Sequence, residues 1–257
     1  MNSGDKRSML QMVGFEFRKV IGNPYVHIFG VGMPVLMMII ITRVITGEVA
    51  EEALLSSMKT SVFLGIGTLI PMASIFMGYG ISNAQELEKG IPQRMELFGI
   101  KTGVTLFSRI LSELIFMSAA FCVYFAVGYV LGDYSTPRAA GAILYVVCIL
   151  GLSVILFCLA HAISSMLRRF SLTYCVTMLL YFGFMILGGM MGITYDNMPS
   201  AVQAAARMLP VTYINRDFYL VWSGERYNFI PMLQSYLLFG ALAGILMFFS
   251  ARRRKLH

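Results

Sequence analysis

The chain has 257 residues, 58% of them hydrophobic and only 13% charged, with a formal net charge of +7. A soluble domain carries roughly 25% charged residues, so a water-soluble globule is excluded. Stretches of about twenty nearly uncharged residues each reach the length of a spanning helix, while the ten-residue alternating segments of a transmembrane barrel are missing, which leaves an all-α polytopic membrane protein.

Residues 1–24 read as a tail and an amphipathic helix. In "MLQMVGFEFRKVIGNP", Met9 to Pro24, the polar Arg7, Gln11 and Arg18 share one helical face, with Leu10, Val13, Phe17 and Ile21 opposite. Asn23-Pro24 stops it, and the pattern predicts an interfacial helix lying in the inner headgroups. Six transmembrane helices follow within residues 25–250: Tyr25 to Thr46, Ser61 to Ile81, Ile110 to Leu131, Ala139 to Ile163, Leu172 to Ile193 and Ile230 to Ser250. Pro34 and Pro71 fall inside spans one and two and predict kinks that neighbouring helices tolerate. Residues 251–257 are a basic tail.

Lys and Arg set the orientation, because cytoplasmic flanks collect them. With both termini inside, fourteen of the twenty basic residues lie on the cytoplasmic side, among them Arg18, Lys19, Lys89, Arg94, Lys101, Arg109, Arg168, Arg169 and Arg252 to Lys255. The excess is a topology signal, and no nucleic-acid partner is needed to explain it. A cleaved signal peptide is not expected, since the apolar run after Lys6 and Arg7 begins late, is too long and lacks a small-x-small site.

Between spans two and three, "AQELEKGIPQRMELFGIKTG" (Ala84 to Gly103) packs charges of both signs into twenty residues. Such a segment is either a solvated connector or a docking surface, where charge pairs fix register and partner choice. Between spans five and six, residues 194–229 are too many for a turn. "PSAVQAAARML" and, after Pro210, "VTYINRDFYLVW" predict two short helices dipping into the outer leaflet. The second carries Ile214, Phe218, Val221 and Trp222 along one side, and Tyr213, Tyr219, Trp222 and Tyr227 favour a membrane interface.

Chemistry is sparse. Cys122, Cys148, Cys158 and Cys175 all fall in spans without ligand spacing, so they read as buried thiols and no metal site is expected. There is no HExxH; His27 and His161 sit at span ends with no role assigned, and Glu51-Glu52 lacks the span-borne partners of a membrane protease. Gly99-Ile100-Lys101-Thr102 mimics only the end of a phosphate-cradling loop, so any ATP hydrolysis belongs to another polypeptide. Arg109 and Glu113, one turn apart on span three, are expected to pair near the inner surface. The interior therefore offers almost no ion-coupling chemistry.

Taken together the residues resemble the permease subunits of type-2 ATP-binding-cassette (ABC) exporters. The likeness rests on the amphipathic first helix, six spans with both ends inside, the acidic-glycine motif "ELEKG" (Glu86 to Gly90), "SRILSELI" from Ser108, and Leu209-Pro210 between the outer helices. Gly99 stands where members of that family often carry Pro. The resemblance implies a multi-pass protein of the prokaryotic plasma membrane, with a cytoplasmic coupling helix at about 84–103 seated on a separate ABC ATPase. It also implies a second permease chain, and ATP and Mg held by the ATPase alone. ATPase-coupling residues would be Glu86, Glu88, Lys89, Gly90 and Arg94, flanked by Phe15, Phe17 and Arg18. A substrate path along spans two and five would take Phe63, Phe76 and Tyr79 with Tyr181, Phe184 and Met185. Lacking fixed charges, it suits an amphiphilic or hydrophobic cargo such as a drug, antimicrobial peptide or lipid. Gly188/Gly192 and Gly128/Gly132 are GxxxG pairs that could close a dimer contact. Two other classes stay open: a stand-alone secondary transporter or channel, and a non-transporting sensor or immunity protein.

Overall fold

The computed structural model describes residues 3–48, 51–131, 134–191 and 195–254. The expectations resting on Gly132, Gly192 and Lys255, and on the side chains of Lys6, Arg7, Arg253 and Arg254, fall outside the described residues and side chains. Among the described residues six helices are long and apolar enough to cross a membrane: Ile28–Gly47, Leu54–Glu88, Thr102–Leu131, Ala139–Leu167, Phe170–Leu187 and Ile230–Arg252. No strand occurs among the described residues.

Span two organises the bundle. Its apolar window is 78% buried inside the chain, against 22–44% for the other five. The reason is composition: Phe63, Leu64, Leu69, Ile70, Met72, Ile75 and Phe76 cover all sides of the helix and every one is buried, the pattern of a helix with protein all round it. The peripheral spans bury one stripe and leave another to lipid, as Leu36, Ile40 and Val44 do at i, i+4 and i+8 on span one. Span four packs along spans two and six, and span three packs along the first helix, Ser3–Ile21. That lead helix has Val13 and Phe17 half-buried while Leu10 and Ile21 are exposed.

Both mid-span prolines sit at helix irregularities. Pro34 follows a π-helical turn, Ile28–Gly32, and Pro71 precedes a longer one, Met72–Tyr79. Just before Pro71 the α-helix breaks at Thr68, whose N–H and hydroxyl both donate back to Gly65 O (3.0 and 2.7 Å). A ring without an N–H fits where the regular ladder is already interrupted.

Span two is also longer than its hydropathy suggests. It runs 35 residues, roughly 50 Å at 1.5 Å each, so its last turns carry Asn83, Glu86 and Glu88 on continuous helix. Only Ile91–Leu97 forms the separate elbow helix between spans two and three. The acidic part of the motif is therefore the end of a span, not part of the knuckle.

Between spans five and six lie a 3₁₀ turn, Tyr195–Asn197, and three short helices, Ser200–Ala206, Pro210–Arg216 and Phe218–Ser223. Two helices were expected; the second divides at Asp217. Ile214, Phe218, Val221 and Trp222 do share one side, and that side is buried in the core. Trp222 is thus turned into the protein interior: its indole N–H donates to Ser135 O at 2.9 Å, and Gly141 lets span four come so close that a Cβ there would lie 2.6 Å from Val221 O. Two of the GxxxG glycines are likewise spent inside the chain. A Cβ at Gly128 would meet the Phe63 ring at 2.5 Å, and one at Gly188 would lie 3.0 Å from a Val211 methyl.

Candidate functional site: a charged end with an apolar elbow

The lead helix, the elbow, the end of span four and the end of span six meet at one end of the bundle. Its centre is Arg109, only 6% exposed. Arg109 Nε donates to Glu16 Oε1 (3.2 Å), Nη1 to Asn83 Oδ1 (2.7 Å), and Nη2 to Glu86 Oε2. Lys19 closes the ring, donating to Glu16 Oε2 (2.8 Å) and to Glu86 Oε1. Asn83 Nδ2 carries the network to Ser164 Oγ on span four (2.7 Å). Ser112 Oγ donates to Val13 O at 3.0 Å, a further tie between span three and the lead helix.

Three helices are thereby bound by charge, and the neutral Asn83–Ser164 hydrogen bond ties in span four. Glu16 is 4% exposed and Glu86 7%, and buried ions are retained only when paired and hydrogen-bonded, as these are.

This corrects two expectations. Arg109 pairs with Glu16 and Glu86 rather than with Glu113, because the lead helix and the end of span two present better-placed carboxylates. Glu113, 5% exposed, leaves its Oε2 without a partner. Both residues line a void of about 30 Å³ between the lead helix and spans two and three, about the space of one water. Glu86, expected on the docking surface, faces inward. Glu88 is exposed, but its Oε2 accepts the Phe170 backbone N–H (2.9 Å) at the first turn of span five, where a carboxylate satisfies an orphan donor and the helix dipole.

The elbow is shaped by two glycines. Gly90 and Gly99 both take left-handed φ (68° and 81°). Gly90 N–H donates to Leu87 O, ending span two; Gly99 N–H donates to Glu96 O and Ile100 N–H to Met95 O, ending the elbow. The closure at Gly99 has both bonds of a Schellman motif and that at Gly90 has the glycine bond alone; glycine adopts either without a Cβ penalty. Gly99 thus supplies a tight stop where the family often carries Pro. At the tip, Leu97 and Phe98 are 87% and 85% exposed, with Arg94 and Lys89 exposed beside them. Sequence reading passed over both apolar residues, although a Leu-Phe pair inside a charged segment is itself the signal. Phe15 and Arg18 on the lead helix are exposed, with the Lys19 ammonium 5.8 Å above the Phe15 ring, while Phe17 packs on the core.

The aromatic residues assigned to a path lie in two places. Phe63 stacks with Tyr134 and Tyr124 (4.5 and 5.0 Å) toward the opposite end. Phe76 meets Phe184 at 5.7 Å, bringing spans two and five together with Met185 buried beside them. Tyr79 stacks on Phe157 at 4.3 Å and its hydroxyl lies 2.7 Å from His161 Nδ1; Tyr181 is half-buried. At the opposite end, Arg216 sits 4.3 Å over the Tyr195 ring. Burial raises the Asp217 carboxyl above the usual carboxylate range, with Arg216 pulling the other way. No group of three or more His, Cys, Asp or Glu suited to a metal occurs among the described residues.

The family model described as "ABC-2 type transporter" matches residues 7–221. No curated protein matches the chain.

Proposed function

Since this chain belongs to the ABC-2 type transporter family, and so is the membrane permease of an ABC transporter that works with an ATPase subunit, we propose that it is the permease of an exporter. In this reading the charged end faces the cytoplasm, two permease chains pair with two ATPase subunits that hold ATP and Mg, and the elbow seats in a groove of the ATPase. Cargo is amphiphilic or hydrophobic and passes along spans two and five; of the residues assigned to that path, Tyr181 is partly exposed, while Phe63, Phe76, Tyr79, Phe184 and Met185 are buried within the chain and would have to part to admit it.

One observation carries the reading: Leu97 and Phe98 stand exposed at the tip of a short helix whose two ends are clamped by left-handed glycines. An exposed apolar anchor ringed by charge is the anatomy of a protein contact. A push on that tip reaches span two through Gly90 and span three through the short link to Thr102. The Glu16–Lys19–Glu86–Arg109 ring makes those elements move with the lead helix rather than shear. The roles divide accordingly: Leu97, Phe98 and Arg94 contact the motor, and Glu86 transmits.

The test is co-expression of the chain with its ATPase and purification through a tag on one of them. Leu97→Asp/Phe98→Asp should cut co-purification at least about ten-fold, the loss of one hot-spot contact, with the permease still folded. Undiminished co-purification and ATP-driven transport would refute the docking role. Transport that survives replacement of the ATPase's phosphate-loop lysine would favour a stand-alone transporter.

A further inference from the structure

A second opening at the charged end lies beside the ion ring and shares Asn83 and Arg109 with it. It is a cleft of about 420 Å³ between the elbow, span three and the ends of spans four and six, within the roughly 300–1,000 Å³ of small-ligand sites. Its lining mixes apolar Leu87, Met95, Leu106 and Met247 with polar Asn83, Thr105, His161, Ser165 and Arg168. Arg109 also borders it, but its guanidinium is held by Glu16, Glu86 and Asn83. The one acid on the lining, Glu96, accepts the Thr102 hydroxyl at 2.6 Å.

Arg168 closes span four, its backbone N–H donating to Ser164 O (2.9 Å) and its Nε to Ser165 O (3.4 Å), which leaves the rest of the guanidinium exposed. It is the one described non-glycine residue with left-handed φ (51°), at the end of span four, where glycine would sit at lower cost. Arginine at that position sets an exposed guanidinium beside the cleft, with Arg169 exposed next to it in the chain. Spans three and six both line the cleft, yet span three packs chiefly along the lead helix and span six along span four. Their outward faces, with Phe107, Phe248 and Phe249, are exposed and apolar. An occupant of the cleft therefore meets both apolar side chains and the Arg168 cation.

We propose that the cleft is a binding site for an anionic phospholipid of the adjoining leaflet, its phosphate on Arg168 and Ser165 and its glycerol and upper acyl carbons against Leu106 and Met247. Basic pockets between membrane helices recognise such headgroups, each cation near the surface contributing a modest electrostatic preference. A bound lipid would brace the elbow, which forms part of the cleft, against span six. The assignment does not depend on the ATPase reading.

The test is native mass spectrometry of the full-length chain in detergent, titrated with phosphatidylglycerol or with phosphatidylcholine of the same acyl chains. Phosphatidylglycerol should bind about five-fold more tightly. Arg168→Gln should erase the preference, Arg168→Lys should keep most of it, and Met247→Trp should remove both lipids by filling the cleft. Equal binding of the two lipids by the unaltered chain, or an unchanged preference in Arg168→Gln, would overturn the proposal. So would ATP-driven redistribution of the lipid across vesicles that Met247→Trp abolishes, which would make the cleft a route for cargo. Should Arg168→Gln fail to fold, Met247→Trp decides alone: retention of phosphatidylglycerol preference in that variant contradicts the site.

Discussion

Arg109 and Glu113 share a helix and a void but not a fate. Arg109 is balanced by carboxylates from two other helices, Glu16 and Glu86, whereas Glu113 has an oxygen with nothing to receive. Breaking one member of a buried, fully paired set is costly, about 3–5 kcal/mol, because it strands the others. Glu86→Gln should therefore lower the thermal unfolding midpoint markedly and loosen the lead helix, seen as faster proteolysis within Ser3–Ile21. Glu113→Gln alters a carboxyl that has one oxygen unpartnered and should change stability by less than about 1 kcal/mol. Equal losses in the two variants would contradict this division. The i, i+4 spacing made Arg109–Glu113 the natural pair to expect in the sequence. The true partners lie 93 and 23 residues away, and no local pattern encodes which of several glutamates a fold will bring to an arginine.

The elbow helix was legible as a feature and misread in its parts. A charged twenty-residue segment between apolar runs marked the place, and glycine in "ELEKG" marked a turn. Hydropathy, however, counts Glu86 and Glu88 as loop, although one is neutralised by burial against Lys19 and Arg109 and the other satisfies span five at Phe170. Charge that is paired can ride on the end of a long helix. The knuckle is shorter than expected, and its shape depends on two left-handed residues. Gly90→Val or Gly99→Val forces a β-branched side chain into that region, at roughly 1–2 kcal/mol each. The expected outcome is protease nicking confined to residues 88–102 and weaker stimulation of the partner's ATP hydrolysis; unchanged nicking would mean that the two turns are not what holds the elbow.

At the scale of the whole molecule, six spans, their order and the helical segment after span five could be read from runs of apolar residues, because lipid imposes length and composition directly. What could not be read was which span lies at the centre. Span two differs from its neighbours in burial rather than in hydropathy, and protein and lipid contacts draw on the same apolar side chains. For the same reason the aromatic residues of spans two and five offered a path in the sequence, whereas in the fold they divide between an end cluster around Phe63 and a mid-bundle contact at Phe76 and Phe184. The central claim is that the elbow between spans two and three is cytoplasmic and receives the motor. It is tested most directly by a single cysteine at Phe98, in a background where Cys122, Cys148, Cys158 and Cys175 are replaced, challenged with a membrane-impermeant thiol reagent. Labelling only from the cytoplasmic side, and protection when the ATPase is co-expressed, is the result this structure predicts; labelling from outside intact cells, or labelling indifferent to the ATPase, would contradict it.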